Sequence, residues 1–130
     1  MKKITFIITA ALCLLLALKA STANAQTSKD PCANAQTQVE INECQGREYK
    51  KADAALNAIY KQLMAKIDTE GERAVLKAAQ VAWIKYRDAD CEFASYLNKG
   101  GTIYPLVYSG CLTAHTQERS KQLRELLKDR

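Results

Sequence analysis

The sequence predicts an all-α fold: a small three-helix antiparallel bundle, made of two consecutive helical hairpins with an irregular N-terminal arm and two disulfides. Three observations lead there. Strand signals are scarce, with few β-branched runs, no Asn-Gly or Asp-Gly hairpin, and only two prolines. Apolar residues instead recur at helical spacing in three stretches, divided by turns too short for anything but adjacent antiparallel helices. Four cysteines outside the leader, in a small exported chain, supply the cross-links that such a domain needs.

Export is read from the first residues. Met1-Lys2-Lys3 is a basic start, Ile4 to Leu18 is almost wholly apolar, and Ala23-Asn24-Ala25 is an A-x-A cleavage signal. The apolar run falls short of the roughly 20 residues of a membrane span. Residues 1–25 are therefore expected to be a cleaved signal peptide, with no membrane span afterwards and a periplasmic or secreted location. Cys13 leaves with the leader. A lipoprotein would need a small residue before that cysteine, where Leu12 stands.

Cleavage leaves residues 26–130, enough for one domain. Residues 26–36 read as the arm and 37–130 as the helical domain. The precursor carries 19 basic and 14 acidic residues. Three of the bases (Lys2, Lys3, Lys19) depart with the leader, so the net charge falls from +5 to 16 minus 14, or +2. With no basic run interleaved with aromatics, a nucleic-acid partner is not expected.

Thr37-Gln38-Val39-Glu40 makes a capping box for the first helix. Its apolar stripe runs through Ala52, Leu56, Ile59, Tyr60, Leu63, Met64 and Ile67. Gly46 marks a site where this helix could kink. A second box, Thr69-Glu70-Gly71-Glu72, starts the next helix, with Leu76, Ala79, Trp83 and Tyr86 continuing to Leu97. Asn98-Lys99-Gly100-Gly101-Thr102 breaks it. Pro105 suits the first turn of a third helix with Leu112, Leu123, Leu126 and Leu127 on its stripe, ending near Lys128.

These turns set two registers. A pivot near residues 69–70 makes facing numbers on the first hairpin sum to about 139. Asp53 then faces Tyr86–Arg87, Leu56 faces Trp83, Tyr60 faces Ala79 and Leu63 faces Leu76. A pivot near Gly101 gives a sum of about 202 for the second hairpin, which puts Trp83 opposite Arg119 and Cys91 opposite Cys111. Cys32 then pairs with Cys44 by folding the arm onto the first helix. The rival pairing, Cys44–Cys91 with Cys32–Cys111, stays open because 44 and 91 fall within about one helical turn of the first register.

The chemistry-bearing residues read mostly as structure. Asp53 and Arg87 form a clasp between the first two helices, in a buried setting with Leu56, Tyr60, Trp83 and Arg119 as core. Asp88 and Asp90 point in different directions on their helix, so they are not an acid–base pair; solvent or Arg119 takes them. Asn57 and Gln80 bridge helices or cap backbone groups. His115 has neither a second ligand nor a nucleophile beside it and reads as a helix-face residue. No hydrolase triad, HExxH, P-loop or dinucleotide fingerprint occurs, and no cysteine pair has zinc spacing. An enzyme, a cofactor and a metal are not expected. The candidate partner-binding residues are Lys99, Ile103 and Tyr104 in the glycine turn, since loops on a rigid scaffold often bind partners and Tyr often anchors them. Ile103, with Leu106 and Val107, serves equally well to close the bundle's end.

The sequence also carries a composite pattern. It runs Cys32…Asn42-Glu43-Cys44, Ala52-Asp53-x-x-Leu56-Asn57-x-x-Tyr60, and Leu76-x-x-Ala79-Gln80-x-x-Trp83-Ile84-x-Tyr86-Arg87-Asp88-x-x-Cys91. Gly100-Gly101-Thr102, Cys111 and Thr116-x-x-Arg119-x-x-x-Leu123 complete it. Over nearly all of residues 32–127 this resembles the lysozyme inhibitor LprI-like family of exported bacterial proteins. The resemblance implies a disulfide-bonded helical domain in the cell envelope with a protein partner, lysozyme being the target of the family's named member. That member is a lipoprotein, and this chain departs from it in lacking a lipobox. The competing class is an envelope structural or assembly protein sharing the fold without inhibiting lysozyme.

Overall fold

A computed structural model describes residues 31–130. The signal peptide assigned to residues 1–25 and the start of the arm lie outside the described residues. Three helices follow in order: α1 (Gln38–Lys66), α2 (Glu70–Ser95) and α3 (Tyr104–Lys128), with a 3-10 turn over Tyr96–Asn98 between the last two. The described residues contain no strand, and the fold is the three-helix bundle that the sequence predicts.

Each boundary has a chemical cause. Thr37 Oγ1 accepts the Glu40 N–H at 3.2 Å, and Glu40 Oε2 accepts the N–H groups of Thr37 at 3.0 Å and Gln36 at 2.8 Å. The box is complete, and those backbone donors hold the Glu40 carboxyl below its usual range. The second box is only half formed. Thr69 Oγ1 accepts the Glu72 N–H at 3.2 Å, but the Glu72 carboxylate turns away to pair with Arg130. A guanidinium is the stronger donor for a carboxylate than a neutral amide.

Helix α2 ends at Ser95, two residues short of Leu97. Ser95 Oγ donates back to the Cys91 carbonyl at 2.8 Å, and the chain then tightens into the 3-10 turn. Gly100 follows with φ of 79°, a left-handed conformation that costs glycine little. A Cβ at Gly101 would sit 3.2 Å from the Asn98 carbonyl oxygen. Pro105 occupies the first turn of α3, where its missing N–H is no loss. Gly46 lies inside an unbroken α1.

Helix α3 is the common partner. It lies alongside α1 in the closest helix pair of the bundle, while α2 packs chiefly on α3 and reaches α1 through long side chains. Because α1 and α3 run parallel, facing residues differ by a constant offset: Gln45 Nε2 donates to Thr113 Oγ1 at 3.3 Å, 68 positions apart. The core is Leu56, Ile59, Leu63 and Ile67 against Leu123, with Tyr60, Met64, Leu76, Trp83 and Leu127 packed around it. Each fully buried leucine contributes about 2 kcal/mol by leaving water. Both disulfides take the local pairing, with Cα–Cα distances of 5.8 Å for Cys32–Cys44 and 5.5 Å for Cys91–Cys111.

Candidate partner-binding site

The turn between α2 and α3 is held from three sides. Glu92, in the last stretch of α2, takes the Lys99 ammonium in an ion pair and accepts the Tyr104 hydroxyl at 2.9 Å. Hydrogen bonds from Lys99 and then Tyr104 hold the Glu92 carboxyl below its usual range, and the same contact raises Lys99. Tyr104 stacks on Tyr108 with centroids 5.8 Å apart, and the Lys99 ammonium lies 5.1 Å over the Tyr96 ring. From the other side, Asn42 Nδ2 at the start of α1 donates to the Thr102 carbonyl at 2.8 Å. The Cys91–Cys111 bridge joins the two helices behind the turn.

The three candidate residues therefore divide. Lys99 and Tyr104 brace the turn, each through Glu92, while Ile103 presents its side chain outward. Leu106 and Val107 are half-buried and close the end of the bundle. Leu97, placed by the sequence reading at the end of a core stripe, is instead 95% exposed and stands beside exposed Tyr96. Its outward position follows from spacing: Cys91 and Ser95 are buried toward α3, and a residue two beyond Ser95 is turned roughly 200° round the axis at α-helical pitch and roughly 240° at 3-10 pitch, away from α3 either way. That signal was present in the sequence.

Leu56, Tyr60 and Trp83 share one core, whereas Ala79 and Tyr86, which the first register sets opposite Tyr60 and Asp53, are exposed, and the charges are redistributed. Arg87 Nη1 lies 3.8 Å from Asp53 Oδ1, but its side chain is 7% exposed and that of Asp53 is 42% exposed. The nearer acid is Asp88, which takes Arg87 Nη2 at 2.8 Å and Nε at 2.9 Å. Arg87 also donates to Thr116 Oγ1 at 3.3 Å. Two guanidiniums lie over the Trp83 ring, Arg87 at 5.1 Å and Arg119 at 5.9 Å, and Arg87 also lies over the Tyr49 ring at 5.6 Å. Arg119 turns to Gln80 Oε1 at 3.1 Å and Gln122 Oε1 at 3.1 Å, not to Asp88 or Asp90. Asp90 instead meets His115 Nε2 at 2.8 Å, and Tyr86 packs edge-on to that imidazole at 5.6 Å. Asn57 stays on its own helix, donating to Asp53 Oδ2 at 2.9 Å.

Chemically, these groups satisfy one another. No buried side-chain nitrogen or oxygen among the described residues lacks a hydrogen-bond partner. Cys91, Cys111 and His115 form the grouping nearest to a metal set, but the two sulfurs are joined to each other and are not thiolates. Among the described residues, no helix is long and apolar enough to cross a membrane.

Comparison with known proteins agrees with the fold. The family model described as "Lysozyme inhibitor LprI" matches residues 28–123. A curated relative, "Uncharacterized protein R02472" of Rhizobium meliloti (strain 1021), is 40% identical over 129 residues, covering 90% of this chain and 92% of the relative. Among solved structures, a DUF1311 family protein from Pseudomonas putida KT2440 has the same fold, with a TM-score of 0.68 at 24% identity, over 72% of this chain and 97% of that one.

Proposed function

The chain belongs to the LprI lysozyme inhibitor family, and on that premise we propose that it is an exported, non-catalytic domain that binds and inhibits a lysozyme through the turn between α2 and α3. The observation that supports this reading is the braced tip. Glu92, Asn42, Tyr108 and the Cys91–Cys111 bridge fix the turn, so exposed Leu97 and Ile103 are presented with little ordering cost on binding. A rigid apolar projection is what enters a concave cleft. Lysozyme's cleft works through a pair of carboxyl groups. Lys99 stands at the rim of the tip, where a competing carboxylate could exchange with Glu92. The small positive charge of the mature chain gives weak long-range steering toward a basic enzyme, so the association rate should be ordinary and its salt dependence slight.

The test is a cell-wall lysis assay with purified, oxidised residues 26–130 and several lysozyme types. Inhibition at stoichiometric amounts is expected. Leu97→Asp with Ile103→Asp should abolish it while leaving the helical signal and melting temperature unchanged. Lack of inhibition of every type would leave the envelope assembly role as the better reading.

A further inference from the structure

Helix α2 carries a second exposed apolar face, distinct from the tip. Val75, Ala78, Ala82, Tyr86, Ala89 and Phe93 are all exposed. They step by three or four residues along α2 from Val75 to Phe93, which keeps them on one stripe. No charge interrupts it. Phe93 is 83% exposed, a large apolar side chain that the fold itself does not use. The buried residues of the same helix are Gln80, Arg87, Cys91 and Ser95, on the side toward α3.

We propose that this stripe is the interface of a symmetric dimer, occupied by α2 of a second copy running antiparallel. The sequence of the stripe is complementary to its own reverse. With a twofold axis near residue 84, facing positions have numbers summing to about 168. Val75 then meets Phe93 of the partner subunit, Ala78 meets the partner's Ala89, and Ala82 meets the partner's Tyr86. Each large ring faces a smaller side chain, and the alanines let the two helices approach within about 8 Å. A parallel pair would instead set Phe93 on Phe93 and Tyr86 on Tyr86.

The flank of the stripe points the same way. Going along α2 it is basic and then acidic: Lys77 and Lys85, followed by Asp88 and Glu92. Antiparallel packing lays this flank against its own reverse, which sets Lys77 beside the partner's Glu92. Glu92 and Asp88 already hold Lys99 and Arg87, so the flank selects orientation more than it adds affinity. The same acids disfavour an anionic membrane surface as the occupant.

Mass measurement by light scattering or sedimentation on oxidised residues 26–130 tests this. The expected result is a concentration-dependent mass reaching twice that of one chain. Ala82→Glu with Ala89→Glu should give monomers with unchanged circular dichroism and, at concentrations where the parent chain is also monomeric, an unchanged melting temperature. Phe93→Asp, at the end of the stripe, is an independent variant should that pair perturb the helix. Orientation is read by oxidative cross-linking: Ala78→Cys alone should stay uncross-linked, and Ala78→Cys with Ala89→Cys should link efficiently. A single-chain mass up to the solubility limit, a dimer that survives both acidic variants, or cross-linking of Ala78→Cys alone overturns the proposal.

Discussion

Helices α1 and α2 are of similar length and both pack on α3, yet they do so with opposite chemistry. The buried residues of α1 include Leu56, Ile59 and Leu63, meeting Leu123 in a hydrocarbon core. Those of α2 are Gln80, Arg87, Cys91 and Ser95, with Thr116 among their partners on α3. One helix is held by burial of apolar area. The other is held by a disulfide, directed hydrogen bonds and two guanidiniums over a tryptophan ring. The first kind of interface is roughly proportional to area and tolerant of detail; the second depends on every group finding its partner. It also leaves Val75, Tyr86 and Phe93 of α2 facing outward, while Leu76 and Trp83 still pack on the core.

The contrast is sharpest at the core. Leu63 is buried against Leu123. Leu63→Ala should cost about 3 kcal/mol, within the usual range for a buried leucine. Phe93→Ala removes more carbon from the outer face of α2 and should change the stability of the monomer by less than about 0.5 kcal/mol. Chemical denaturation of both variants checks the pair. Equal losses would mean that the two faces of α2 have been assigned the wrong way round.

A comparable effect is expected where α2 is tied covalently. Cys91 and Cys111 are separated by 20 residues, and closing a loop of that size is worth about 3 kcal/mol by chain entropy. Replacing both by serine should lower the melting temperature markedly and loosen α2 before α1. Hydrogen exchange would show it as faster exchange along α2 with α1 still protected. Uniform loss of protection would mean that the polar interface does not unfold separately from the core.

Next comes the charged centre of that interface. Arg87→Met should cost about 2 kcal/mol, because it removes the donor to Thr116 and the cation beside Trp83 but leaves two acids that water can solvate. Asp53→Ala should cost below about 1 kcal/mol, since Asp53 is partly exposed and Asp88 is the nearer carboxylate. A double-mutant cycle on Asp53 and Arg87 measures their coupling. A value near that of a fully buried ion pair would restore the interior clasp expected from the sequence alone.

These particulars show what the sequence could express. Helix number, order, both disulfides and the facing of Cys91 with Cys111 across the second turn are legible, because periodicity, caps and turn glycines are local signals. Thr37 behaved as its spacing implies. Glu72 did not, because its competitor, Arg130, lies at the far end of the chain and no local rule sees it. Apolar periodicity misleads on α2 and the 3-10 turn after it, where Tyr86 and Leu97 point out while Gln80 and Arg87 point in. Which apolar face is buried depends on what α3 offers, and α3 offers threonine and serine at that height. At the candidate site the turn is legible from its glycines, but nothing local separates Lys99 and Tyr104 as bracing residues from binding ones, because only the fold brings Glu92 to both.

The smallest expected effect tests that last contact. Glu92 is held below its usual range by Lys99 and Tyr104, so its folded value lies below its unfolded one, near 4.5. A depressed carboxyl contributes stability that is present above the unfolded value and disappears as pH falls through the folded one. The tip should therefore stay closed at neutral pH and open only on acidification below about 4.5, with the helices intact. The reporter is Tyr104: its ring resonances in an NMR titration should move as the hydroxyl loses its carboxylate acceptor. Glu92→Gln should remove that transition and leave the acid response at Glu40, whose carboxyl caps α1 independently. If the Tyr104 signals titrate unchanged in Glu92→Gln, Glu92 is not the brace. The tip would then owe its shape to the glycines and the disulfide alone, and α2 would end without the polar contact that distinguishes it from α1.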